Sequence, residues 1–170
     1  MSDLSSVAIL SRLIAFDTTS YKSNLDLILY VKEILEQNGI RVDLNFNAEQ
    51  NKANLFASTG PIDQPGILLS GHSDVVPVEG QLWDSPAFEV IEKNGNIYGR
   101  GSADMKGFLA CAIVSMLKAS QYPLQRPVHL CISYDEEIGC IGGRGILDQL
   151  ASTIVSPLMC VIGEPTMMQL

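Results

Sequence analysis

Residues 66–74 read Gly66-Ile67-Leu68-Leu69-Ser70-Gly71-His72-Ser73-Asp74, and the reading of the whole chain turns on them. GILLS is a short apolar run without polar alternation, the pattern of a central strand buried on both faces. It leads directly into a glycine, a histidine and an aspartate. The same grammar recurs three times. NIYGRGSAD leads from a short strand to Asp104, VHLCISY ends at Asp135-Glu136-Glu137, and LMCVI ends at Gly163-Glu164. In open α/β sheets, sites form at the carboxyl ends of the strands. Residues distant in sequence are therefore expected to meet at one sheet edge.

The surrounding pattern supplies the rest of the fold. Asp3 to Phe16 predicts a helix, with Val7, Leu10, Leu13 and Ile14 at helical spacing; Asp17-Thr18-Thr19-Ser20 breaks it. A second helix is predicted from Asn24 to Asn38, with Asn24 as N-cap and Gly39 at the C′ position. Its apolar side is Leu25, Ile28, Leu29, Val31 and Leu35. Ile40, Val42, Leu44 and Phe46 alternate as a half-buried strand, and Asn54 to Ser58 predicts another. Phe88 to Glu92 and Asn96 to Tyr98 flank Lys93-Asn94-Gly95, a hairpin signal. Met105 to Ser120 predicts a long apolar helix with Asp104 as its N-cap. Val128 to Tyr134 predicts a strand, Gly145 to Ala151 a short helix, and Leu158 to Ile162 a last strand. The order is an α/β pattern: a mixed, largely parallel central sheet flanked by helices.

Composition limits the function. The chain has 170 residues, 46% of them hydrophobic and 18% charged, which excludes a disordered chain and predicts a real core. Nineteen acids against 11 bases give a formal charge of -8. That balance argues against a nucleic-acid surface, which needs clustered Lys and Arg, and against an anionic membrane face. No apolar run is long enough for a membrane span, and Arg12 interrupts the stretch where a signal peptide stays apolar. Cys111, Cys131, Cys140 and Cys160 form no C-x-x-C and read as reduced, half-buried thiols. A cytoplasmic protein is expected.

Each polar residue has a plain reading and a chemical one. His72-x-Asp74 on an extended segment puts both side chains on one side, as for a metal ligand with an acid behind its second ring nitrogen. Asp104 alone reads as a helix cap. The consecutive acids Asp135, Glu136 and Glu137 follow an apolar strand, where they repel one another unless cations neutralise them. Taken together, one imidazole and several carboxylates at one edge suit zinc, manganese or cobalt, and a carboxylate can bridge two cations. His129 alternates within a strand and reads as structural. Gly99-Arg100-Gly101 lacks the third glycine of a dinucleotide loop. The Gly139–Gly145 cluster lacks the Lys-Ser/Thr of a phosphate loop, and no G-x-S-x-G is present.

GHSDVVP, GRGSADMKG, SYDEEIGC and GEPT, in this order, resemble the M20 family of metal-dependent amidohydrolases and peptidases. FDTTSYKSNLDLI, NKANLFAS and GHSDVVPVEGQLWDSPAF are most similar to its bacterial acetylornithine deacetylase branch. Desuccinylases acting on succinyl-diaminopimelate, aminoacylases and carboxypeptidases share the core motifs. The resemblance implies a zinc-peptidase-like catalytic domain and two divalent metal ions, zinc first, with cobalt or manganese as alternatives. It implies that His72 and Glu164 hold one ion, Glu137 holds the other, Asp104 bridges both, Asp74 orients His72, and Glu136 is the general acid/base. It also implies a cis peptide after Asp104. The expected reaction is hydrolysis of an N-acyl amino acid, most closely N-acetylornithine to ornithine and acetate, in arginine biosynthesis. The expected partner is that small molecule, and the full-length form is expected to be a homodimer. Family members are longer. Residues 1–170 would then be the N-terminal part of a catalytic domain, without the lid and dimerisation domain and the final histidine ligand. Such a part would be inactive alone and prone to pair at its open sheet edge. A catalytically dead homologue with a binding role is the alternative of another class.

Overall fold

Two helices open residues 5–166, which are those described by the computed structural model. In α1 (Ser6–Ala15) the Ser5 hydroxyl accepts the Ala8 N–H at 3.2 Å, a side-chain N-cap. The predicted start at Asp3 lies outside the described residues. Ile9, Leu10, Leu13 and Ile14 form the buried face, while Val7 is exposed. In α2 (Leu25–Gln37) the buried side is Leu27, Ile28, Val31 and Leu35, and Leu29 faces out. The helix ends as the sequence predicts. Gly39 sits at φ +73°, its N–H bonds to the Glu36 carbonyl, and Ile40 N–H bonds to the Leu35 carbonyl. That is a Schellman ending, which glycine enters without steric cost.

The strands β1 (Arg41–Phe46), β2 (Ala53–Thr59), β3 (Ile67–His72), β6 (Val128–Ser133) and β7 (Met159–Ile162) form one sheet in the order β1-β2-β6-β3-β7. β1, β2 and β6 pair antiparallel; β6, β3 and β7 pair parallel. The sheet is therefore mixed, with a parallel half, as expected. Alternation assigns its two faces. Leu55, Ala57, Leu130 and Ile132 pack with α1, α2 and α3 (Gly107–Ala119) in the main core. Phe56 and Cys131 point the other way, toward Ile146 of α4 (Ile141–Thr153).

The structure corrects several local expectations. The hairpin forms as β4 (Ile91–Lys93) and β5 (Asn96–Tyr98) around Asn94-Gly95, both at positive φ, but it is a separate ribbon. The strand predicted from Phe88 begins only at Ile91, and Asp104 is not delivered by the main sheet. The helix predicted from Met105 starts at Gly107, because Asp104 and Met105 have non-helical angles; the peptide between them is cis. Gly107 is needed there: a Cβ would stand 2.4 Å from the Ser102 carbonyl oxygen. Finally, α4 begins four residues before the predicted Gly145. Three glycines in its first turns depress helix propensity, and packing of Ile146 on Phe56 and Cys131 overrides it. Cys131 is buried while Cys111, Cys140 and Cys160 are exposed free thiols, so the expectation of half-buried thiols does not hold residue by residue. No helix among the described residues is long and apolar enough to cross a membrane.

Candidate metal centre

The site lies where the parallel strands end. His72 is the last residue of β3 and pairs in register with Ser133, the last of β6; the Ser73 N–H prolongs the pairing to the Ser133 carbonyl at 2.8 Å. The chain beyond β6 supplies Asp135, Glu136 and Glu137, and the chain beyond β7 supplies Glu164. Parallel pairing makes these ends coincide.

Asp104 arrives by another route. The turn Ser102–Lys106 crosses beneath the end of β3. Met105 is buried and its sulfur accepts the His72 N–H at 3.1 Å. Lys106 is fully buried and donates to the Leu13 carbonyl at 2.9 Å and the Phe16 carbonyl at 2.7 Å, tying the turn to the end of α1. Burial draws the Lys106 ammonium down to about 7. Held from both sides, the turn aims the Asp104 carboxylate at His72 instead of capping α3.

His72 is 1% exposed and both ring nitrogens are committed. Nδ1 is 2.9 Å from the Asp74 carbonyl oxygen and 3.5 Å from Asp74 Oδ1. Nε2 is 3.1 Å from Asp104 Oδ1, 3.6 Å from Glu164 Oε1 and 3.8 Å from Glu136 Oε2. The Asp74 carbonyl is a pure acceptor, so Nδ1 carries a proton and Nε2 is the nitrogen turned toward the carboxylates. Burial draws the imidazole pKa down, but the Asp74 carboxylate and carbonyl, with Glu164 behind them, outweigh it and push His72 up to about 9.

Asp74 is 2% exposed yet fully engaged. Its Oδ1 accepts the Glu136 N–H at 3.0 Å; its Oδ2 accepts the Ser20 hydroxyl at 2.8 Å and the Glu137 N–H at 3.2 Å. Burial raises its pKa, and the His72 contact and these hydrogen bonds outweigh that, holding it below the usual carboxylate value. Glu137 and Glu164 go the other way. Burial raises each; Asp104 adds to the rise at both, and Glu136 does so too, while His72 opposes it.

Two sets of donor atoms lie within 4.8 Å of one another: His72 with Glu136 and Glu164, and His72 with Asp104 and Glu137. All six residues singled out in the sequence, Asp74 included, thus converge. Glu136 and Glu137, adjacent in the chain, fall into different sets. Beside them a cavity of about 250 Å³ is lined by Val76, Arg100, Asp104 and Glu137. His129 is elsewhere, near the start of β6. It is fully buried, 2.9 Å from the Ser58 hydroxyl and stacked on Phe56 with 5.5 Å between centroids. Burial lowers its pKa.

Sequence reading missed the polar layer behind the site. Asn24 does not cap α2: its amide donates to the Ala53 carbonyl and the Ser73 hydroxyl, both at 2.9 Å, and its oxygen accepts the Ala53 N–H. Thr18 donates to the Ser73 carbonyl at 2.6 Å, and the segment of Thr19 bridges Val75. The stretch after α1, read only as a helix breaker, is a wall of the site. Polar side chains clustered at a helix end were the available signal, but local turn chemistry explains them equally well.

Comparisons with known proteins bear on the fold and the lineage. The profile of peptidase family M20/M25/M40 matches residues 68–170. An acetylornithine deacetylase of Myxococcus xanthus is 35% identical over 164 residues, covering 94% of this chain and 41% of that enzyme. The chain therefore spans about two fifths of the length of the curated relative it matches. Among solved structures, an M20 family metallo-carboxypeptidase from Sulfolobus solfataricus superposes with a TM-score of 0.79 at 20% identity, over 93% of this chain and 37% of that one. Human carnosine dipeptidase 1 superposes with a TM-score of 0.76 at 23% identity, over 92% and 38%. The structural likenesses show the fold, and the profile match over more than half of the chain shows the lineage: this chain belongs to peptidase family M20/M25/M40.

Proposed function

We propose that the chain carries the metal centre of an amide hydrolase that removes the acyl group from an N-acyl amino acid, with N-acetylornithine as the substrate and ornithine and acetate as products. The single observation that carries this reading is the convergence of one buried imidazole and four carboxylates, in two sets within 4.8 Å, at the carboxyl edge of parallel strands. The relative from Myxococcus xanthus supports the choice of acyl group. In the same reading the protein is cytoplasmic, serves arginine biosynthesis and works as a homodimer in its full-length form.

The donor set fits divalent cations. It is all oxygen and imidazole nitrogen, which suits zinc, with cobalt or manganese as alternatives. Burial and neighbouring carboxylates raise Glu137 and Glu164, a cost that cations would remove. In this assignment His72 and Glu164 would hold one ion, Glu137 would hold a second, and Asp104 would serve both. Bound there, divalent ions would supply Lewis acidity for the attacking water and the acyl carbonyl. Asp74 holds His72 through Nδ1 so that Nε2 stays directed at the ligands. Glu136 takes a proton from the attacking water and returns it to the leaving amine. Its backbone is fixed by Asp74 while its carboxylate remains part-exposed, so it can reach both water and amine.

The experiment is metal analysis of the purified chain together with hydrolysis of N-acetylornithine by the full-length form, with and without Glu136→Ala. The expected result is bound divalent metal, turnover, and loss of turnover without loss of metal in the variant. A metal-loaded Glu136→Ala protein with undiminished turnover would overturn the role of Glu136, and protein that binds no divalent metal would overturn the centre itself.

A further inference from the structure

Behind the carboxylates lies a buried cation that takes no part in the assignment above. Lys52, just before β2, is 8% exposed, and so is Asp135. The Lys52 ammonium donates to the Asp135 carboxylate and to the Ser20 carbonyl. These partners come from two segments far apart in sequence, and each grips Asp74. Ser20 gives Asp74 its hydroxyl. Asp135 opens the acidic turn at φ +54°, and the next two residues give Asp74 their backbone N–H groups. Asp74 in turn holds the Nδ1 side of His72. A carboxylate and an ammonium buried this far require each other, because either left unpaired is strongly disfavoured.

We propose that Lys52 is a positioning residue for the metal centre: by tying Ser20 to Asp135 it sets the place of Asp74 and of the Glu136–Glu137 backbone, and through them the alignment of His72. The proposal rests on the metal-centre reading. Its physical content is a brace with two arms. Without Lys52 the Asp135 charge loses its partner, the acidic turn rotates toward water, and both N–H bonds to Asp74 loosen. A buried ion pair that merely stabilises the fold would loosen the whole core instead.

The test compares Lys52→Met and Lys52→Arg with the unaltered chain. Two quantities are read: residue-resolved amide hydrogen exchange without metal, and cobalt(II) binding followed by its visible absorption. In Lys52→Met the Glu136 and Glu137 amides should exchange at least about tenfold faster, while Ile113 and Met116 in α3 stay within about twofold. Cobalt affinity should fall by about 10–100-fold, the range for losing an outer partner of a metal ligand, with altered absorption bands. Lys52→Arg should restore both. Unchanged exchange at Glu136 and Glu137, or equal acceleration throughout α3, overturns the proposal. So does cobalt affinity unchanged in Lys52→Met when the unaltered chain binds cobalt. An unaltered chain that binds no cobalt overturns the metal reading alone, and the exchange measurement still decides the role of Lys52. Should Lys52→Met fail to fold, Lys52→Met/Asp135→Asn removes both charges and takes its place. If that chain folds, the same selective acceleration is expected; if it too is unfolded, the role is structural and the proposal falls.

Discussion

The two histidines of this chain sit on neighbouring strands of one sheet, and both are buried. His72 ends β3; His129 stands near the start of β6, opposite Leu68. Burial alone would make both neutral. His129 follows that rule: one hydroxyl partner, a stacked phenyl ring and a lowered pKa. His72 breaks it, with Asp74 behind and Asp104, Glu136 and Glu164 within 3.8 Å of Nε2. The difference lies in which end of the sheet each occupies. Parallel β6, β3 and β7 bring their acid-bearing continuations to the end that holds His72, and none to the end that holds His129. Imidazole chemistry here is a property of topology rather than of depth.

The largest effect should come from exchanging the fates of the two rings. His72→Ala is expected to weaken cobalt or zinc binding roughly 1000-fold, beyond the 10–100-fold typical of losing an outer partner. His129→Phe should leave affinity within about threefold, since a phenyl ring fills the same slot beside Phe56. Competition against a chromophoric chelator measures both, and equal losses would erase the distinction.

Next comes pH. His72 goes from an ordinary 6.5 to about 9 in the folded chain, so the folded state holds its proton more tightly. That contribution is fully present below pH 6.5 and is lost as pH rises through 9; it amounts to about 3 kcal/mol at most. Thermal unfolding of the metal-free chain should therefore lose several degrees between pH 6.5 and 9 relative to His72→Ala. His129 has the opposite sign: its folded pKa is lowered, so its contribution is present above 6.5 and fades below that pH. A His129→Phe chain should be less acid-sensitive than its parent. Parallel pH profiles for all three chains would remove the contrast.

Asp74→Asn should cost about 10–100-fold in metal affinity and also lower the melting temperature of the metal-free chain near neutrality, because the charge that holds the His72 proton is gone. The amide oxygen can still accept the Glu136 N–H, but an NH2 group in place of Oδ2 cannot accept the Ser20 hydroxyl or the Glu137 N–H, and His72 loses its charged neighbour. Ser58→Ala gives the smallest effect. It leaves His129 Nδ1 without its hydroxyl and should destabilise the chain by about 1 kcal/mol while metal binding stays unchanged. A loss of affinity there would mean that the two ends of the sheet communicate.

Legibility in the sequence followed the range of the forces involved. The Schellman end of α2 and the Asn94-Gly95 hairpin depend on a few adjacent residues, and local pattern predicts both. The start of α4 does not: Gly142, Gly143 and Gly145 argue against a helix, and only the packing of Ile146 under the sheet favours one. Asp104 is the sharper case. An aspartate before an apolar helix is good N-cap chemistry, and nothing local shows that the backbone turns at Met105 and hands the carboxylate to His72. The five acids and one histidine of the site were legible because each follows an apolar strand or a distinctive motif. The bracing roles of Ser20, Asn24, Lys52 and Asp135 were not, because their partners are 29 to 83 residues away.

By itself, the sequence determined the kinds of donor, their order, and the strands and loops that present them, because hydrophobic period and residue chemistry are local. Tertiary structure alone decided that Glu136 and Glu137 join different sets and that Asp104 reaches the site from a turn rather than the sheet. It alone decided that Asp74 is braced by Ser20 and by the acidic turn that Lys52 holds. Those outcomes depend on which strand ends coincide and which buried charges find partners, and both are settled only when distant segments pack.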